Sequence, residues 1–409
     1  MHPVVAALKH HKTTVALVAL EIALTCAIVT NALFLIGDRL ALMHMTTGVA
    51  DNQLVWARAS GLDLGQDSGA ASPAEAAADM AALRAIPGVE SVAMTNSLPL
   101  AGSYWSMGIW RHPGDKHSVL DNAVEYVGTR GMVKTLGINL SEGRDFLPDE
   151  YVDYSIFGGK AKVPPSVAIV TRALANQLWP GQDPLGKTFY LGDHGKYAIH
   201  VVGVTEHLLN PSINPNQGIE RGLILPVKSV QGGMYVLRMR PDMRKAVKEA
   251  IPKILIGLDP SRIVPDDQIY TDTISEYFHG DRAMIWLLLV VIGCLLAVTA
   301  LGVVGLSSFW VQQRTRQIGI RRALGATRAD IMRYFLAENF LIVGIGVVVG
   351  LLAAVALNLW LMDHYELHRM PLVWLLPGAA VLLILGQLAV LAPALRASHV
   401  PPVVATRSV

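Results

Sequence analysis

The chain has 409 residues, of which 52% are hydrophobic and only 16% charged, where an average soluble domain carries about 25% charge. That balance disfavours a simple cytosolic enzyme and requires long apolar runs. A formal net charge of +2 and two cysteines give no basis for a nucleic-acid partner, a disulfide-rich scaffold or a four-cysteine zinc site.

Residues 1–12 carry His2, Lys9, His10, His11 and Lys12. No carboxylate neighbours the histidines, so the stretch reads as a cytoplasmic interfacial segment rather than a metal site. Residues 13–36 are the first of four runs long enough to cross a bilayer, which takes about 20 largely apolar residues. The run follows lysines, as a signal sequence does. It outlasts a usual h-region, however, and leads into Asp38 and Arg39 instead of a cleavage site, so it reads as a retained anchor. The other runs are 283–311, 335–361 and 372–392. The second would extend roughly 43 Å at about 1.5 Å per residue, against a hydrocarbon core of about 30 Å. It is expected to tilt or project.

Loop charges set the orientation. Residues 312–334 hold Arg314, Arg316, Arg321, Arg322, Arg328 and Arg333 against Asp330, whereas 362–371 hold Arg369 against Asp363 and Glu366. The arginine-rich loop and both termini, including the tail 393–409 with Arg396 and Arg407, are therefore expected in the cytoplasm. Residues 37–282 then form a large outer domain. Cys26 and Cys294 fall in the spans, so the domain must fold on its own core.

Within that domain, residues 54–59 read as a strand, 73–85 as a helix with Glu75 and Asp79 early, and 89–96 as a strand. At the far end, 234–239, 244–258 and 262–270 repeat strand, helix and strand. Two such units predict an α+β fold of the ferredoxin-like split βαβ kind. The middle, 123–227, holds β-rich pieces at 166–170, 188–191 and 199–204 and reads as an inserted β-rich subdomain. The run Gly181-Gln182-Asp183-Pro184-Leu185-Gly186-Lys187-Thr188 matches the Walker A pattern. A phosphate loop follows a strand and opens a helix. Here a helix-like run, 173–179, precedes and a strand-like run follows, and Pro184 removes an N–H. A turn is expected.

Glu21 and Glu338 lie within spans, where an ionised group is costly and hence a functional candidate. Structural pairing with a loop arginine is the simpler reading of both, with a transmission role for Glu21 as the rival. Asn31, Asn358 and Gln387 read as interhelical hydrogen-bonding groups. Gly346 and Gly350 permit close helix approach, for packing against the fourth span or for a dimer seam, the first being favoured. No catalytic constellation and no metal site emerges.

The run Arg314-Thr315-Arg316-Gln317-Ile318-Gly319-Ile320-Arg321-Arg322-Ala323-Leu324-Gly325-Ala326 resembles the cytoplasmic loop of MacB/FtsX-type ABC transporter permeases. Ile331, Phe335, Leu336, Glu338 and the glycines Gly344, Gly346 and Gly350 resemble the family's third helix. Pro393-Ala394-Leu395-Arg396-Ala397-Ser398, with Pro402 and Ala405, resembles its closing motif. Leu136-Gly137-Ile138, Glu142-Gly143-Arg144-Asp145-Phe146, Trp179-Pro180, Asp183 to Lys187 and Val201 to Val204 are similar to a MacB-like periplasmic core domain. Gln317 departs from the family's usual glutamate.

The resemblance implies a permease subunit of the bacterial inner membrane with the large domain in the periplasm. It would transmit ATP-driven motion of a separate ABC ATPase subunit for export or extraction of a substrate such as an antibiotic, peptide or lipid-linked molecule. No cofactor is expected in this chain, since ATP and Mg would be bound by the partner ATPase. The implied coupling residues are Arg314, Arg316, Gln317, Ile318, Gly319, Arg321, Arg322, Ala323, Leu324 and Gly325. The implied partners are a second permease protomer, as homo- or heterodimer, membrane lipid, and a membrane-fusion adaptor with an outer-membrane channel. The alternative is an FtsX-like signalling transducer acting on an outer partner such as a cell-wall hydrolase. A membrane-anchored binding protein without an ATPase is a third reading, against which the arginine-rich loop weighs.

Overall fold

The computed structural model describes residues 12–61, 73–154, 163–214, 218–230, 232–365 and 370–399. The first eleven residues, Glu366, Arg369, Pro402, Ala405 and Arg407 lie outside them. In chain order the elements are α1 (Lys12–Met43), β1 (Leu54–Gly61), α2 (Pro73–Arg84), β2 (Val89–Thr95), β3 (Trp105–Ile109), β4 (Leu120–Gly128), α3 (Met132–Leu136), β5 (Leu140–Gly143), β6 (Val167–Thr171), α4 (Arg172–Leu178), β7 (Thr188–Leu191), β8 (Tyr197–Thr205), β9 (Gly222–Pro226), β10 (Met234–Met239), α5 (Arg244–Leu258), β11 (Arg262–Ile269), α6 (Tyr270–Tyr277), α7 (His279–Gln313), α8 (Thr315–Ala323), α9 (Arg328–Tyr365) and α10 (Leu375–Ser398). The chain divides into a helical unit, Met1–His44 with Gly280–Val409, and a sheet unit, Met45–His279.

In the sheet unit the strands lie in the order β11-β1-β10-β2-β4-β9-β6-β8-β5, with β3 on β4 and β7 on β8. Each of the first four strands is antiparallel to its neighbours among them, and they are joined through α2 and α5. They form the split βαβ arrangement expected from the two strand–helix–strand units. The insert does not build a separate sheet: it continues the same one. The join is narrow. β2 and β4 share the single register pair Thr95↔Gly128. Beyond it the Asn96 side chain takes over the ladder, donating to Glu125 O at 2.8 Å and accepting from Val127 N at 2.9 Å.

Both faces of the central strands are covered, so their alternation is apolar on both sides. On β1, Val55 and Ala57 pack with Ala76 and Leu83 of α2 and with Val247, Ile251 and Leu255 of α5. Leu54 and Trp56 face the other way, onto a cluster with Met132, Val133, Leu136 and Tyr270. A buried polar knot ties α2 to the sheet. Asp79, 1% exposed, accepts from Arg262 Nη1 at 2.6 Å and Tyr235 Oη at 2.5 Å. Burial and the Asp79 charge hold the Tyr235 hydroxyl well above its ordinary pKa.

Among its described residues the helical unit has four helices long and apolar enough to cross a membrane. At about 1.5 Å per residue, α7 extends roughly 52 Å, well beyond a hydrocarbon core of about 30 Å. Asn31 Nδ2 on α1 donates to Ala354 O of α9 at 3.1 Å, and Asn339 Nδ2 of α9 donates to Gly386 O of α10 at 2.8 Å. Thr25 of α1 meets Thr299 of α7 at 2.9 Å. Asn358 Oδ1 accepts from Met370 N at 3.0 Å, outside α10, and Gln387 Nε2 has no partner among the described residues.

Gly346 and Gly350 pack within the unit, but against α1 and not the fourth span. A Cβ on Gly350 would lie 2.5 Å from Cys26 Cβ and 2.7 Å from Ala23 O, and one on Gly346 would lie 2.9 Å from Ala19 O. The backbone oxygens cannot yield without parting the helices. Gly350→Ala is therefore expected to destabilise the protein by about 1–3 kcal/mol, read as a lower Tm of the full chain in nanodiscs. Gly344→Ala, where nothing lies within 4 Å, serves as the control. Equal Tm values for the two variants would contradict the close seam.

Candidate functional site

The arginine-rich connection folds as an elbow. After α7, Arg314 leaves helical geometry (φ −103, ψ 9) and starts α8, and α8 closes at Leu324 and Gly325. Gly325 adopts φ +102, which a side chain would resist. Thr327 then begins α9 with a reciprocal cap. Its Oγ1 donates to Asp330 Oδ2 at 2.6 Å and accepts from Asp330 N at 3.2 Å, satisfying amides that the first helical turn leaves open.

The arginines divide into two kinds. Arg314 Nη1 reaches both oxygens of Glu338, at 2.9 and 3.0 Å, with side chains only 14% and 2% exposed. Its guanidinium also lies 5.8 Å from the Trp310 ring. Glu338 thus receives a loop arginine, Arg314. Arg322 Nη1 donates to Ser398 O at 3.1 Å, and Arg328 meets His399 at 3.2 Å. These contacts fasten the elbow to the end of α10. Ile318, with Val311, Ile331, Phe335, Ala394 and Ala397, forms the small core beneath it, and Gly319 is buried beside Ile318.

The opposite face of α8 is open. Arg316, Gln317, Arg321, Ala323 and Gly325 are exposed, as are Ile320 (45%) and Leu324 (83%). Arg316, Ile320 and Leu324 follow one another at four-residue spacing and so share a helix face. Arg321 lies over the Tyr334 ring at 4.8 Å, which holds the cation in place beside that face. The sequence singled out the loop and Leu324, but not Ile320 as its apolar companion, nor Tyr334 as a platform. Their only signal is spacing on a helix whose exposed side is set by Ile318 and Phe335.

Glu21 stands apart from the elbow. No loop arginine pairs with it among the described residues, and its Oε1 is buried without a hydrogen bond. It faces Gly302 of α7, where a Cβ would meet its Oε2 at 2.8 Å. The Walker-like run is a turn between α4 and β7 with Gly181 and Gly186 at φ +69 and +72. Lys187 donates to Gln182 Oε1 and lies 5.9 Å from the Trp179 ring. The helix–turn–strand order is the reverse of a phosphate loop's.

These features define an integral membrane protein with a basic helical elbow and a large α+β domain inserted between its first two apolar helices. Residues 289–402 match the family model described as FtsX-like permease C-terminal. The chain is 27% identical over 192 residues to the macrolide export ATP-binding/permease protein MacB of Vibrio parahaemolyticus, covering 45% of this chain and 28% of that protein. It is 35% identical over 116 residues to the MacB of Bordetella avium, covering 28% and 17%. The periplasmic region of MacB from Actinobacillus actinomycetemcomitans aligns with 57% of this chain and 94% of its own at 14% identity and a TM-score of 0.36. Residues 289–402 are thus similar to an FtsX-like permease domain, and the resemblance to MacB/FtsX-type ABC transporter permeases is borne out. The matched stretches span less than a third of these curated relatives' own length.

Proposed function

We propose that the chain is the permease subunit of a MacB-like ABC transporter, in which a separate ATPase binds ATP and Mg and α8 receives its motion. The helices then lie in the bacterial inner membrane with both termini in the cytoplasm and the sheet unit in the periplasm. A second permease protomer completes the assembly, and export or extraction of a substrate is the outcome. An adaptor and outer-membrane channel belong to this reading as further partners. The observation that supports it best is the exposed face of α8. There Ile320 and Leu324 stand between Arg316 and Arg321 on a helix anchored from behind by Arg314–Glu338. Such a face suits a groove with an apolar floor and acidic rim, and anchoring lets a push on α8 reach α7 and α9.

The test is co-purification with a candidate ABC ATPase of the same organism, co-expressed with the chain. Leu324→Asp combined with Arg316→Glu is expected to weaken the complex by roughly thirtyfold or more, as loss of an interface hot spot does, while membrane insertion persists. Arg322 is unsuited to this test because it holds Ser398. A complex that forms equally well with both substitutions would refute the docking role.

A further inference from the structure

A cleft of about 580 Å³ opens in the sheet unit at the junction between its two halves, within the size range of small-molecule sites. Its floor is the carboxyl end of the parallel pair β4 and β9, whose last register pair is Gly128↔Pro226. Thr129 and Arg130 follow β4, and Val227 and Lys228 follow β9. Open α/β sheets bind ligands in crevices outside the carboxyl ends of their parallel strands, and this cleft lies at the carboxyl ends of β4 and β9.

The floor is pre-formed. Thr129 N donates to Met94 O at 3.0 Å, Val227 N to Gly128 O at 3.0 Å and Lys228 N to Val152 O at 3.0 Å. One wall is α2, which buries Ala76, Asp79 and Leu83 against the sheet. It turns a second stripe, Ala77, Met80, Ala81 and Arg84, to the cleft, at the i, i+3, i+4, i+7 spacing of one helix face. Pro148 and Tyr151 form the other wall.

The lining is mixed, with Met80, Ala81, Pro148 and Val227 as its apolar part and three cationic side chains beside them. Arg84, Arg130 and Lys228 line it, and no carboxylate does so among the described residues. Arg84 donates to Val92 O at 3.2 Å, and among the described residues neither it nor Arg130 meets an acid. Lys228 touches Asp153 at 3.3 Å with both groups about half exposed. The nearby Glu150 carboxylate is already taken by Arg144, at 2.6 and 2.8 Å, and by Leu147 N at 2.7 Å. Burial and the Asp145 charge push the Tyr151 hydroxyl up to about 12, so it stays a neutral donor.

We propose that this cleft binds a small amphiphilic anion, its apolar body against Met80, Ala81 and Val227 and its carboxylate or phosphate between Arg84 and Arg130. The assignment goes beyond the permease reading, and its test uses neither ATPase nor nucleotide.

The full chain in phosphatidylcholine nanodiscs is titrated calorimetrically with hexyl phosphate and with hexanoate, against empty nanodiscs. Inorganic phosphate and hexyltrimethylammonium are the controls. Saturable one-to-one binding of at least one acid is expected, about tenfold or more tighter than either control, since an ionic hydrogen bond contributes roughly a factor of ten or more. The preferred acid identifies the head group. Arg84→Ala with Arg130→Ala should weaken binding about tenfold or more, and Ala81→Trp, at an exposed helix position, should fill the cleft and abolish it. Acids that bind no tighter than the ammonium amphiphile, or binding unchanged by both sets of substitutions, would overturn the assignment.

Discussion

Glu338→Ala is expected to destabilise the helical unit by about 3–5 kcal/mol, the usual cost of leaving one member of a buried ion pair alone. The Glu338 side chain is 2% exposed and receives two hydrogen bonds from Arg314, which is itself largely buried. Removing the carboxylate strands a guanidinium between Trp310 and α9. Glu338→Gln keeps an acceptor and should cost less. The double variant Arg314→Met, Glu338→Leu should recover most of the loss, because well-packed apolar pairs replace buried ion pairs at little net cost. Thermal unfolding of the four proteins in nanodiscs reads this directly. A single variant as stable as wild type would mean that the pair contributes nothing to holding the elbow.

The same pair shows where the sequence stops being legible. The density of arginines marks residues 314–328 as a cytoplasmic-type loop, and the glycine after Leu324 marks the end of its helix. Which arginine is anchored and which is free depends on contacts with α9 and α10 that no local pattern encodes. Arg314 and Arg316 look alike in sequence, yet one is buried on Glu338 and the other is exposed. The glycines of α9 announced close packing but not the partner, since small residues fit any neighbouring helix.

In the sheet unit, β1, β7, β10 and α5 are legible because apolar alternation or helical spacing is strong and bounded by glycine, proline or aspartate. β9 is a five-residue run that ends on Pro226, and β5 is only Leu140–Gly143. β5 has no β-branched or aromatic residue, and β9 is a short continuous apolar run that periodicity cannot assign. β4 hides its pattern behind Asp121, Asn122 and Glu125, and the last of these is buried where alternation predicts an apolar side chain. The continuation of one sheet through Thr95, Asn96 and Gly128 is a long-range pairing invisible to any window.

That buried acid gives the second large effect. Glu125 is 1% exposed, and neither carboxylate oxygen has a hydrogen-bond partner among the described residues. It lies on the face of β4 that also presents Ala123 and Val127, and its register partners are Trp105 and Leu223. The titratable neighbour Tyr154 is itself displaced upward, first by burial and then by the Glu125 charge. Desolvation pushes Glu125 from 4.5 to about 8. Between those values the folded chain keeps a proton that the unfolded chain releases, so stability falls as pH rises through the window. The full penalty, on the order of 5 kcal/mol, is present above about pH 8 and absent below about pH 4.5. Glu125→Gln cannot ionise. It should match wild type near pH 4.5 and exceed it by a few kcal/mol at pH 8. Denaturation of the full chain at both pH values reports the difference, and hydrogen exchange of residues 120–128, corrected for the intrinsic rate, localises it to β4. Parallel pH profiles for the two proteins would mean that the carboxyl is solvated or paired in solution.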